Sequence, residues 1–243
     1  MNSNSTLEKI VCLGLWKLFN EESDGEYSSV ALSGATYTFN SNNLYLVQGH
    51  NGSGKTSFLS ILSGHSSPSE GRVEYHFTDG KIDNKIPSSW QLASLVSRNS
   101  MYENLSTREN LELLWRNNPF SSEPFHFKKP EFNEEITRLN EAFLLNEMID
   151  RPLRELSQGF RQRAHLMRLF LRGSPLAKPW YILDEPSIYL DNAGLNALCL
   201  LIKSAIMEGA TIILASHDSE LINALTGTSL FMSKGKLSGL SNE

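Results

Sequence analysis

Apolar and polar residues alternate at Ala35, Tyr37 and Phe39 and again at Val73, Tyr75 and Phe77. A period of two predicts half-buried strands, and Asp79-Gly80 supplies a turn from the second of these into a further strand. Ile10 to Trp16 is a short apolar run that reads the same way. Asn43 to Gln48 is apolar and rich in strand formers, whereas Phe58, Leu59 and Leu62 follow helical spacing up to Gly64, a C-cap residue. From about Thr107 to Ala164 the period becomes helical. Ser106-Thr107-Arg108-Glu109 forms a capping box before Leu111, Leu113, Leu114 and Trp115, and a second helix carries Ile136, Leu139, Phe143 and Leu144. Pro119, Pro124 and Pro130 break the chain between them. Trp180 to Leu183 and Thr211 to Ala215 are continuous apolar runs, short enough for strands buried on both faces. The pattern predicts an α/β chain with a parallel sheet interrupted by a helical insertion.

Composition narrows the partners. A chain of 243 residues with 40% hydrophobic content can bury a substantial core. The net charge of −5 argues against a broad nucleic-acid-binding face, so no nucleic acid is expected as a partner. Arg151, Arg154, Arg161, Arg163, Arg168 and Arg172 cluster, and the expectation is a solvated helix face. Cys12 and Cys199 are far apart in apolar surroundings, which fits a reducing compartment better than a disulfide or metal site. No stretch has the length of a membrane span, so attachment to a membrane would require another chain.

The candidate chemistry begins at Gly49-His50-Asn51-Gly52-Ser53-Gly54-Lys55-Thr56, which fits G-x-x-x-x-G-K-[ST] at every fixed position. Glycines let backbone amides close around an anion, and the following helix adds its positive dipole end. Lys55 is expected to reach the β- and γ-phosphates of a nucleoside triphosphate and Thr56 to ligate Mg²⁺. Asp184 and Glu185 follow an apolar strand. Asp184 is placed to hold Mg²⁺ and Glu185 to polarise an attacking water. Ser157 and the Gly159 amide stand before the helical stretch Arg161 to Arg172, where an anion can be received; alone they are an N-cap. His217 ends another strand and can donate to a γ-phosphate.

The ordered set Gly49 to Thr56, Leu156 to Gly159, Ile182 to Pro186, Leu190-Asp191 and His217 resembles the nucleotide-binding cassette of the ABC ATPase family, over nearly the whole chain. The resemblance implies a RecA-like P-loop core with an antiparallel β subdomain and an inserted α-helical subdomain. The core would be residues 1–97 and 165–243, and the insertion 98–164. It implies that residues 49–57, ending at Ser57, bind ATP with Mg²⁺, that Leu156 to Phe160 is the signature sequence, and that Glu185 is the catalytic base. Leu190-Asp191 would close the D-loop, His217 would be the switch histidine, and Phe19 would stack on adenine, with Trp16 as competitor. Two departures stand out. The signature ends in Phe160 where a polar residue is commoner, and the usual glutamine near Ser97-Arg98-Asn99 is missing, leaving Arg98 or Asn99 to stand in because Gln91 comes too early.

The implied activity is ATP hydrolysis powering an ABC membrane transporter of bacterial exporter type, with a resemblance to haem exporters. A second, identical cassette would sandwich ATP, and transmembrane subunits would hold the protein at the cytoplasmic face of the cell membrane. The alternatives are a regulatory cassette with little hydrolysis, a soluble ABC protein acting on ribosomes or DNA, and a kinase.

Overall fold

The computed structural model describes residues 5–20, 27–87, 91–96, 101–116, 132–171 and 179–239. The early alternating stretches form β1 (Leu7–Asn20), β2 (Tyr27–Asn40), β4 (Glu70–Phe77) and the short β5 (Ile82–Asp83), an antiparallel sheet in the order β2-β1-β4-β5. Ile10 and Cys12 of β1 are buried, but the next inward residue is Leu15. That odd spacing is absorbed by a register shift at Gly14, which takes φ +58, so a bulge restores the core face.

The second sheet contains β3 (Leu44–Gln48), β6 (Leu92–Leu95), β7 (Trp180–Asp184), β8 (Thr211–Ala215), β9 (Thr228–Ser233) and β10 (Lys236–Gly239). Its order is β10-β9-β3-β8-β7-β6, and every pair is parallel except β10 with β9. The continuous apolar runs are explained by burial on both faces. Tyr45, Val47, Trp180, Ile182, Ile213 and Ala215 face one core, shared with the antiparallel sheet and α1 (Lys55–Leu62). Leu44, Leu46, Tyr181, Leu183, Ile212 and Leu214 face the other, shared with helices. Trp180 is fully buried, and its indole N–H donates to Leu7 O at 2.9 Å, tying the two sheets together. Because neighbouring strands are parallel, Gln48, Asp184 and Ala215 end at one edge, where open α/β sheets hold ligands.

Helices α2 (Thr107–Arg116), α3 (Phe132–Phe143), α4 (Gln158–Phe170), α5 (Asn192–Met207) and α6 (Ser219–Ala224) complete the chain, with short 3₁₀ turns at Asn146–Asp150 and Leu153–Glu155. The capping box is formed at both ends: Ser106 N–H donates to Glu109 Oε2 at 2.7 Å, and Glu109 N–H to Ser106 Oγ at 3.2 Å. The anticipated boundary at 164/165 falls inside α4. The proline-rich break at Pro119, Pro124 and Pro130 lies outside the described residues.

Two expectations are corrected. Leu144 does not continue α3; it is 45% exposed at φ +53, one residue beyond the helix. The arginine cluster is not one solvated face. Arg163 is buried and donates to Phe143 O at 2.8 Å, and Arg168 donates to Ser94 O at 3.0 Å, with burial pushing its pKa down. Arg161 donates to Leu156 O at 3.1 Å and Arg154 O at 2.6 Å. These guanidiniums satisfy carbonyls left over at turns and at an edge strand, a need that helical periodicity does not reveal. Arg151 and Arg154 are exposed as anticipated, and Arg172 lies outside the described residues. Among the described residues, no helix is long and apolar enough to cross a membrane.

Candidate nucleotide site

The Gly49 to Thr56 loop joins the end of β3 to the start of α1. Its turn is closed by Ser53 N–H donating to His50 O at 3.2 Å, and it is held from beneath by Gly235 N–H donating to Ser53 O at 3.0 Å. Gly235 belongs to the turn between β9 and β10, so the far edge of the sheet supports the loop. Gly54 caps α1 at φ +108 without a side-chain hydrogen bond, and no acidic residue lies in the first turn. The amides and the positive helix end are therefore uncompensated by the chain, the condition under which a helix N-terminus receives an anion.

Two glycines of the loop differ in kind. A Cβ on Gly54 would lie 2.3 Å from Ala31 O, whereas one on Gly52, at φ +77, would meet nothing within 4 Å. Gly54→Ala is therefore expected to lose on the order of 2–5 kcal/mol, combining backbone strain with a backbone clash. Gly52→Ala should lose only about 1 kcal/mol for its positive φ. Urea unfolding of both variants checks this, and equal losses would contradict the assigned difference.

Lys55 is 5% exposed. Its ammonium donates to Gly49 O at 2.7 Å and His50 O at 3.2 Å and lies 3.8 Å from Glu185 Oε1. Ser53 Oγ is buried in the same loop without a hydrogen-bond partner. A leftover donor, an ammonium and an uncapped helix end fit a phosphate group. Thr56 and Ser57 follow on the first turn of α1, which packs against β7, the strand that ends in Asp184. A hydroxyl and a carboxylate are hard oxygen donors of the kind Mg²⁺ takes together with phosphate oxygens.

Glu185 adopts φ +47, a left-handed conformation uncommon for glutamate, and its N–H donates to Ala215 O at 2.8 Å. The bend turns the carboxylate toward the end of β8. Oε1 lies 2.8 Å from His217 Nδ1, and Oε2 accepts from Ser216 Oγ at 3.2 Å and from His217 N–H at 3.3 Å. Lys55, Glu185 and His217, all anticipated, are thus brought together. Ser216 has no sequence signature of its own; its hydroxyl gains meaning from the fold.

Ser157 and Gly159 lie elsewhere on the chain. Ser157 caps α4, accepting from Phe160 N–H, and a Cβ on Gly159 would lie 2.8 Å from Tyr189 O. Gln162 and Arg163, which sequence reasoning did not single out as site residues, bind the loop that follows β7. Gln162 donates to Pro186 O at 2.8 Å, and Arg163 pairs with Asp191, which caps α5 by accepting from Gly194 N–H at 2.8 Å. That amide is the main cause holding the Asp191 carboxyl below its ordinary value; burial opposes it, and Arg163 adds to the lowering. Phe160 packs beside Arg163, whose guanidinium carbon is 5.4 Å from the ring, a contact that a polar residue at this position would not make. Among the described residues, no hydrogen bond or ion pair links Ser157 or Gly159 to residues 49–56.

Phe19 stands near the end of β1 opposite Ser29, 47% exposed, with the Lys17 ammonium 5.5 Å from its ring. Trp16, opposite Glu70, turns its indole nitrogen toward Gly34, 3.6 Å from where a Cβ would lie. Gln91 precedes β6, at the strand's N-terminal end and away from the site, where its side chain donates to Ser5 O at 3.0 Å. Arg98 and Asn99 lie outside the described residues.

Residues 32–188 match the family model described as "ABC transporter". The chain is 32% identical over 195 residues to the cytochrome c biogenesis ATP-binding export protein CcmA of Histophilus somni, covering 74% of this chain and 76% of that one. It is 29% identical over 198 residues to the nucleoside import ATP-binding protein NupA of Lactococcus lactis, covering 79% of this chain but only 37% of that protein. The fold superposes on a dimeric post-hydrolysis structure of an ATP-binding cassette bound to ADP and Pi, with TM-score 0.74 and 18% identity over 96% of this chain and all of that one.

Proposed function

The chain belongs to the ABC transporter family, and from that membership we propose that it is the ATP-binding and ATP-hydrolysing subunit of a membrane transporter, working as a pair of cassettes. The carrying observation is the division of its anion-binding features. Lys55 and Glu185 meet at the sheet edge, while Ser157 and Gly159 sit on a separate helix end with no link to the phosphate loop. In an antiparallel pair, the Ser157 end of one copy covers the phosphate loop of the other, so each ATP lies between two chains.

In this arrangement Lys55 and the α1 amides hold the phosphates. Thr56 and Asp184 would hold Mg²⁺, which would supply positive charge against the phosphoryl oxygens. Glu185 takes the proton of the attacking water, His217 donates to the transferred phosphoryl group, and Phe19 lies against the base. Helices α2 and α3 belong to the insertion that would meet transmembrane partners and hold the chain at the inner face of the membrane. An exporter is the direction adopted, since the CcmA export protein is matched over 76% of its length.

Two defective copies test the shared site. Lys55→Ala removes the cation of the loop. Ser157→Asp keeps a good N-cap but sets a negative charge where the partner's phosphate must approach. Each variant alone is expected to be nearly inactive, and mixing them should restore hydrolysis, because mixed pairs contain one intact site. A mixture no more active than its components would reject the shared site.

A further inference from the structure

We propose that Ser216 is the positioning residue of the general base, holding Glu185 by Oε2 while Oε1 exchanges partners. The inference rests on the reading of Glu185 as the base given above. The two carboxylate oxygens have partners of different kinds. Oε1 faces Lys55 Nζ at 3.8 Å and His217 Nδ1 at 2.8 Å, both assigned to phosphate. Oε2 faces the Ser216 hydroxyl and the His217 main chain.

The Ser216 hydroxyl is fixed from behind. Its residue is 1% exposed, and Asp218 N–H donates to Oγ at 3.0 Å, which occupies a lone pair and directs the hydroxyl proton to Glu185. Asp218 is itself held as the cap of α6, accepting from Glu220 N–H at 3.0 Å and Leu221 N–H at 3.3 Å. The Ser216 N–H donates to Val47 O at 3.4 Å, on the strand that leads into the phosphate loop. None of these anchors includes the Lys55 ammonium or the His217 ring.

When Lys55 and the exposed His217 ring turn to a phosphate, Oε1 loses both partners and becomes available to a water, while Oε2 keeps its donor. Without that donor, a glutamate at φ +47 has one fewer contact to keep its carboxylate at the sheet edge. Ser216 thereby makes the base a pivoting group rather than a loose one.

The full-length chain is compared as wild type, Ser216→Ala, Ser216→Thr and Glu185→Gln. Single-turnover hydrolysis with protein in excess, affinity for a fluorescent ATP analogue, melting temperature and amide exchange of His217 without nucleotide are measured. Ser216→Ala is expected to slow hydrolysis about tenfold, with nucleotide affinity within about twofold and faster His217 amide exchange. Ser216→Thr, which keeps the hydroxyl, should restore both rate and protection. An unchanged rate in Ser216→Ala overturns the proposal, as does a loss that Thr fails to rescue or one matched by an equal loss of affinity. Wild-type rates in Glu185→Gln, or no hydrolysis by the wild type, would instead strike the hydrolytic reading of the site.

Discussion

Glu185→Gln is expected to leave ATP and Mg²⁺ binding intact and to slow hydrolysis by about 10²–10⁴-fold, the usual contribution of a positioned general base. The amide keeps the length and shape of the carboxylate. Its oxygen can still accept from Ser216 Oγ and the His217 N–H on the Oε2 side. The NH₂ group then falls on the Oε1 side, where a donor faces the Lys55 ammonium 3.8 Å away in place of an acceptor. Lys55 is thus less engaged with the protein, and affinity for ATP should be unchanged or slightly higher. Binding without turnover leaves the paired cassettes closed. A dimer that needs ATP and Mg²⁺ should therefore accumulate in size-exclusion chromatography, alone or with membrane partners. Phosphate release within tenfold of wild type at saturating ATP would remove Glu185 from the base role.

The sheet strands were legible because they follow simple patterns. Thr211 to Ala215 is buried throughout, so an unbroken apolar run was the only pattern it could carry. The capping box at Ser106 to Glu109 was legible because its partners are three residues apart and the hydrogen bonds are local. Leu144 misled because it continues the apolar period of α3, yet the chain turns left-handed there, and period alone contains no signal for a backbone break after Phe143. The bulge at Gly14 was likewise hidden, since glycine marks a permitted conformation rather than a required one.

At the site the same division holds. Lys55, Asp184, Glu185 and His217 stand at the ends of elements with strong local signatures, so their convergence follows once β3, β7 and β8 are neighbours. Ser216, Gln162, Arg163 and Gly235 act across 31, 24, 28 and 182 positions of sequence respectively, to Glu185, Pro186, Asp191 and Ser53. A buried hydroxyl, amide or guanidinium takes its role from whichever carbonyl or carboxylate the fold leaves unsatisfied beside it, and no spacing rule encodes that.

Lys55→Ala is expected to weaken ATP binding by roughly 30- to several thousand-fold, the equivalent of about 2–5 kcal/mol for truncating one side of a buried, hydrogen-bonded charge pair. The Coulomb energy of an ammonium against a triphosphate is larger than this. The net effect is smaller because the Lys55 ammonium already has partners in the chain, at Gly49 O, His50 O and Glu185 Oε1, which it exchanges for phosphate oxygens. The amides of the loop and of α1 remain in the variant and account for residual binding. Truncation has a second consequence. Glu185 loses its nearby cation and presents an uncompensated carboxylate close to the phosphate site. Repulsion from Glu185 is therefore part of the loss, and the two residues should not act additively. The double variant Lys55→Ala/Glu185→Gln is expected to bind ATP severalfold more tightly than Lys55→Ala alone, although it hydrolyses nothing. Titration calorimetry on the four chains of this cycle measures the coupling directly. Wild-type affinity in Lys55→Ala would sink the assignment of Lys55 to the phosphates, and strict additivity would show that Glu185 does not sense the charge at the mouth of the loop.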